Sequence, residues 1–260
     1  MFKRCLCILF VCIGFMSLAE EEAFRTIYIT RHAQRGPRKL WPEADRETRV
    51  LGEVVDGVYE PTTEDTITPL GEKQCQRLGE YLKFKGFNGK VYASPRFWTM
   101  ETAVGIINAI SPELKIMPVP ELQSQAVRLA PADSYISTEL ERRFPRRVVH
   151  VDYPRRWLLS GEIDKSKMIA RMEKVLTELL AKDDKSDLLI VGHSSSIPGL
   201  LHALNARRLP DVPELTTEGL LNCCLYICKV NGQGKVVAAS WTIDFLPKEM
   251  QTSNFVKLIK

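Results

Sequence analysis

The fold can be read outward from Thr26-Ile27-Tyr28-Ile29-Thr30-Arg31-His32-Ala33-Gln34-Arg35-Gly36-Pro37. Its first residues are β-branched or aromatic, the composition of a short buried strand. The run then breaks into Arg-His-x-x-Arg-Gly-Pro. Packing alone would not end a buried strand this way, because cations are costly to remove from water. At the carboxyl end of a strand in an α/β sheet, however, such residues line the crevice where ligands bind. Two guanidiniums beside an imidazole suit a phosphate: the forks hold oxygens and the ring nitrogen can attack phosphorus.

The chain has 260 residues and is 45% hydrophobic, enough for one sizeable core. Its formal charge of +4, without a lysine-rich tail, is too mild for a nucleic-acid partner. Residues 1–19 have the layout of a secretory signal peptide. Lys3 and Arg4 form a basic start, Cys5 to Met16 an apolar run too short to span a bilayer comfortably, and Ser17-Leu18-Ala19 a cleavage site before Glu20. The mature chain, 20–260, would be exported, periplasmic or secreted, with no membrane contact after cleavage. It would be close to neutral, with 34 basic residues against 32 acidic. Outside the signal the cysteines are Cys75, Cys223, Cys224 and Cys228. They read equally as disulfide partners or as buried free thiols. No metal-binding spacing is present, and no metal or cofactor is expected.

Residues 38–67 lack strong periodicity and read as a long excursion near the site. Thr68-Pro69 then suits a helix start, followed by Leu70, Gln74, Leu78 and Leu82 at helical spacing. Val91-Tyr92-Ala93 reads as a strand that turns at Ser94-Pro95 into a helix through Met100, Ala103, Ile106 and Ile110, which Pro112 ends. Ile116 to Val119 reads as a third strand. Residues 121–162 are irregular and arginine-rich, either a solvated face or a basic rim around an anionic substrate. Lys165 to Lys182 is an amphipathic helix. Leu188 to Val191 is continuously apolar, as in a sheet covered on both sides. A helix is expected from about Pro198 to Leu204. Leu220 to Val230 and Val236 to Phe245 read as two strands joined at Asn231-Gly232. This alternation predicts a single α/β domain with a mostly parallel central sheet and helices on both faces.

Two strands therefore end on a histidine, His32 and His193, the second in Gly192-His193-Ser194-Ser195-Ser196. If both strands are central, the two rings can meet.

The chain resembles the histidine phosphatase superfamily, the phosphoglycerate mutase-like or histidine acid phosphatase group, over nearly all of its mature length. Arg31-His32-Ala33-Gln34-Arg35-Gly36-Pro37 resembles its R-H-G-x-R-x-P motif, and Thr68-Pro69-Leu70-Gly71-Glu72-Lys73-Gln74 its T-x-x-G-x-x-Q helix start. Ser94-Pro95 through Glu101-Thr102-Ala103 resembles S-P-x-x-R-x-x-E-T-A, and Gly192-His193 the second-histidine motif. The resemblance implies a phosphoglycerate mutase-like fold. It also implies His32 as nucleophile of a phosphohistidine intermediate, with Arg31, Arg35 and His193 as the phosphate pocket and a small phosphorylated substrate. Three departures stand out. Ala33 replaces a glycine, which matters only if that backbone position needs a positive φ. Trp98 replaces the helix arginine, and Arg96, two residues earlier, would point to a nearly opposite face of a regular helix. The general acid is absent from both usual places, Ser124 and Ser194, leaving Glu121 as the nearest carboxylate. Two readings follow: an exported, metal-independent phosphomonoesterase, or a phosphate-binding or interaction module of the same fold with weakened or lost turnover.

Overall fold

The computed structural model describes residues 25–36, 53–55, 58–60, 66–123, 140–141, 143–149, 165–181, 185–204, 220–232 and 234–252. The proposed signal at 1–19, Ser124, Arg155 and Arg156 lie outside these residues.

A six-stranded sheet carries the chain. Its members are β1 (Arg25–Arg31), β6 (Lys90–Ala93), β7 (Ile116–Pro118), β8 (Leu188–Gly192), β9 (Leu225–Val230) and β10 (Val236–Thr242), in the order β10-β9-β1-β8-β6-β7. Strands β1, β8, β6 and β7 pair in parallel, while β9 runs antiparallel to β1 and to β10. The sheet is mostly parallel, as expected. The central strands are apolar throughout because both faces are covered: Ile27, Ile29 and Leu188 to Val191 are fully buried. Burying each such side chain contributes about 1.5–3 kcal/mol.

Four helices flank the sheet among the described residues: α1 (Pro69–Phe84), α2 (Phe97–Ile110), α3 (Lys165–Ala181) and α4 (Ser196–Ala203). They pack in pairs, α1 on α2 and α3 on α4. Connections from β1 to β6 and from β6 to β7 cross the sheet in one direction, and that from β7 to β8 returns. With right-handed crossovers, the first pair covers one face and the second pair the other. The start of α1 is built as its sequence indicates. Thr68 Oγ1 accepts the Gly71 N–H at 3.1 Å, and Pro69 takes the first helical position, where no N–H is needed.

Three expectations need correction. The stretch 38–67 is not wholly irregular: β3 (Glu53–Val55) pairs with β4 (Val58–Glu60), and β5 (Thr66–Ile67) with β2 (Arg35–Gly36). Asp56-Gly57 between valines was an available hairpin signal. The strand expected from Leu220 begins only at Leu225, because Cys223 adopts φ 57° and breaks the extended run. Helix α4 starts at Ser196, two residues early, because the Ser196 and Ile197 N–H groups both reach the His193 carbonyl.

Within 121–162, the described part forms a 3-10 turn at Pro120–Leu122 and a bridge from Val148 to Ile116, which extends the sheet beyond β7. Two arginines of this stretch brace the body instead of facing solvent. Arg143 donates to Glu101 Oε1 at 2.8 Å, and Arg147 reaches Asn108 and the carbonyls that follow α2. Cys75, Cys223, Cys224 and Cys228 are buried free thiols. Burial pushes Cys224 up to about 11 and Cys228 up to about 12, so they behave as small hydrophobes.

Candidate active site

Strands β1 and β8 are neighbours, and Arg31 pairs with Gly192 at their carboxyl ends. His32 and His193 are therefore carried side by side, with ring centres 5.6 Å apart and planes at 61°. The His32 N–H donates to the Gly192 carbonyl at 3.0 Å, which locks the two strand ends together.

The three residues after β1 have their backbone groups held from all sides. The His32 carbonyl accepts from Asn222 Nδ2 at 3.0 Å. The Ala33 N–H donates to Thr102 Oγ1 at 3.0 Å, and the Gln34 N–H to Gln74 Oε1 at 2.7 Å. The Gln34 carbonyl accepts from the Thr68 N–H at 2.9 Å. Buried backbone groups must be paired, and here helices α1 and α2 and the turn before β9 all supply partners. Asn222 is itself tied down by Thr252, as is Gln74. The main chain at His32 is thus preorganised before any ligand arrives. Ala33 does not have a positive φ, so an alanine carries no strain there.

The remaining Ala33 group, its carbonyl, lies 2.8 Å from His32 Nδ1. A carbonyl only accepts, so Nδ1 carries the hydrogen and Nε2 keeps the lone pair. Burial pushes His32 well below the ordinary histidine range, and the Arg31 and His193 charges add to this. His193 is lowered in the same way, by burial first and then by Arg96, Arg35, Arg31 and Arg171. Both rings are neutral at pH 7. His193 Nε2 lies 2.9 Å from the Ser94 hydroxyl, at the end of β6.

Four arginines, Arg31, Arg35, Arg96 and Arg171, lie close enough to His193 for their charges to act on it. Arg31 is buried, donates to the Leu220 carbonyl, and is pushed down to about 10 by burial, so it stays cationic at neutral pH. Arg35 lies over the Trp98 indole, its Cζ 4.5 Å from the ring centre. Arg96 and Arg171 complete the set. The expectation that Arg96 points away is corrected. It is the N-cap residue of α2, in extended conformation, so helical periodicity does not govern its direction. Arg171 comes from α3, where Nη2 donates to the Gln123 carbonyl at 3.2 Å. Sequence reasoning missed Arg171 and Asn222. Their signals were present: Arg171 falls three residues after Met168 and four before Val175 on the apolar stripe, and Asn222 interrupts an apolar run.

Trp98 is buried, 6.3 Å from His32 and 6.0 Å from His193 by ring centres. Its Nε1–H has no acceptor among the described residues. Glu121 stands exposed on the 3-10 turn, and no contact joins it to the histidines. Among the described residues, no group of three His, Cys, Asp or Glu side chains could hold a metal ion.

No curated protein matches the chain. Among solved structures, the ecdysone phosphate phosphatase of Bombyx mori in complex with tungstate is similar with a TM-score of 0.58 at 19% identity, over 82% of this chain and 92% of that one. The phosphoglycerate mutase of Bacillus anthracis str. Sterne is similar with a TM-score of 0.52 at 15% identity, over 84% of this chain and 93% of that one. Both likenesses concern the fold. The family model for the histidine phosphatase superfamily (branch 1) matches residues 27–242, more than four-fifths of the chain, and the chain therefore belongs to that superfamily.

Proposed function

We propose that this chain is a metal-independent phosphatase that hydrolyses small phosphomonoesters through a phosphohistidine on His32. One observation carries the reading: a neutral His32, its Nδ1 engaged by the Ala33 carbonyl, faces His193 within a set of arginines. Nε2 attacks phosphorus, the P–N bond forms as the P–O bond to the alcohol breaks, and the departing oxygen takes a proton. Water then attacks the phosphohistidine, releasing phosphate and restoring the ring. Phosphoryl transfer depends on in-line positioning and on stabilising the equatorial oxygens, a task in which Arg31 and Arg35 supply positive charge and the neutral His193 a hydrogen bond. Glu121 is the proposed proton donor.

The test gives purified protein p-nitrophenyl phosphate and a panel of phosphoesters with EDTA present, beside His32→Ala. Turnover above the variant, with acid-labile phosphate trapped on the protein, is the expected result. No turnover on any substrate would sink it. Phosphate binding without turnover would select the second reading, a phosphate-binding module of the same fold, which Trp98 in the arginine position favours.

Export is part of the proposal and rests on the layout of residues 1–19. Secreted or periplasmic protein starting at Glu20 is the outcome to look for by N-terminal sequencing. Retention of the intact N-terminus inside the cell would reject it. No described helix is long and apolar enough to cross a membrane.

A further inference from the structure

Position 98 holds an indole where the family pattern has a guanidinium, yet two guanidiniums gather on that indole. Arg35 Cζ is 4.5 Å from the ring centre and Arg96 Cζ is 5.4 Å from it. The same ring is edge-on to both histidines, at 6.3 Å and 6.0 Å. Arg96 can reach this place because it precedes the helix: φ −67° and ψ 138° put it in extended conformation as the N-cap of α2. Had it lain inside the helix, the two-residue offset from position 98 would have turned it to nearly the opposite face.

An aromatic face is an unusual partner for a cation in a phosphate pocket, and its chemistry is useful there. A carboxylate would occupy the guanidinium's N–H groups and cancel its charge. An indole attracts the cation through its π face and does neither. The contact with the π face itself uses none of the in-plane N–H groups. The arrangement also agrees with the electrostatics at His193, where Arg96 is the strongest of the neighbouring charges.

We infer that Arg96 is the phosphate-binding residue of α2 in this chain, and that Trp98 is a positioning residue that holds Arg35 and Arg96 against the two histidines. The lost helix arginine is replaced from two positions upstream. The inference takes the identity of the ligand, phosphate, from the function proposed above.

Inorganic phosphate binding, measured by calorimetry on the full chain, tests it without requiring turnover. Arg96→Ala should weaken binding about ten- to a hundredfold, the range for a charge-assisted hydrogen bond. Arg96→Lys should recover only part, because an ammonium has no fork. Trp98→Phe should keep most of the affinity, and Trp98→Ala should lose several-fold. Trp98→Ala combined with Arg96→Ala should lose less than the product of the two separate losses, because one residue acts through the other. Unchanged phosphate affinity in folded Arg96→Ala overturns the inference and leaves the phosphatase reading standing. Should that variant not fold, unchanged affinity in Arg96→Lys has the same force. Multiplicative losses overturn the positioning role of Trp98. Failure of the unaltered chain to bind phosphate overturns both the inference and the reading on which it rests.

Discussion

His32, the proposed nucleophile, can attack only while Nε2 is unprotonated, and burial with the neighbouring charges keeps it so. Burial disfavours the imidazolium most, and the Arg31 and His193 charges add to this; the Ala33 carbonyl pulls the other way but sets the tautomer, holding the hydrogen on Nδ1. The acid limb of kcat/KM should therefore fall well below pH 6.5, the ordinary histidine value. A p-nitrophenyl phosphate profile from pH 4 to 8 would show it, and a fall centred at 6.5 would contradict the burial argument. Proton donation to the leaving group is a separate question. If Glu121 supplies it, Glu121→Gln should slow hydrolysis of an alkyl phosphate by about 10²–10⁴-fold and p-nitrophenyl phosphate much less. Equal rates on both would assign the proton to water. At this scale the candidate site was legible in His32, His193, Arg31 and Arg35, because each residue type has few reasons to end a buried strand. The tautomer is set by the Ala33 carbonyl, a contact that only the folded backbone shows.

The loop after β1 is held by elements, and two changes would release it. A Cβ at Gly71 would collide with the Gln34 carbonyl, so the first turn of α1 can lie against the loop only with glycine there. Gly71→Ala should destabilise the protein by about 1–3 kcal/mol, as overpacking does, and lower kcat together with stability. Urea denaturation and steady-state rates would check this, and an unaffected kcat would show that the loop tolerates a shifted helix. Asn222→Ala leaves the buried His32 carbonyl without its side-chain donor and should cost about 1–3 kcal/mol. A loss below 0.5 kcal/mol in the same denaturation experiment would mean that another group takes over. The helices themselves were readable from Thr68-Pro69 and from apolar spacing. The turn at 220–224 was not, since Leu221, Cys223 and Cys224 are strand-like in composition. Only the left-handed Cys223, whose N–H donates to the Arg31 carbonyl at 3.2 Å, shows that the chain turns there to deliver Asn222.

Two neutral histidines buried among arginines make the whole molecule sensitive to acid. Above about pH 6.5 the native and unfolded states both hold neutral rings. Below it the unfolded chain takes up protons that the native state refuses, so stability falls as pH falls until the lowered native values are reached. Each histidine can contribute a slope of about 1.4 kcal/mol per pH unit in that window. Denaturation midpoints at pH 7.5 and 5.5 should differ, and His193→Gln should lessen the difference. Added phosphate should lessen it too, by compensating the arginine charge. An equal loss in the variant and the unaltered protein would assign the acid sensitivity to other groups. At this scale the alternation of strands and helices, the apolar run at Leu188 to Val191 and the motif order were enough to establish an α/β domain with two histidines at strand ends. These are local properties, and residue chemistry and periodicity determine them. The tertiary structure alone decided that β1 lies beside β8, that the charges of Arg96 and Arg171 reach His193, and that Trp98 lies against Arg35 and Arg96 instead of displacing the cations. Those contacts join residues far apart in the chain, or, for Arg96, depend on where a helix begins, and no periodicity of the sequence encodes either.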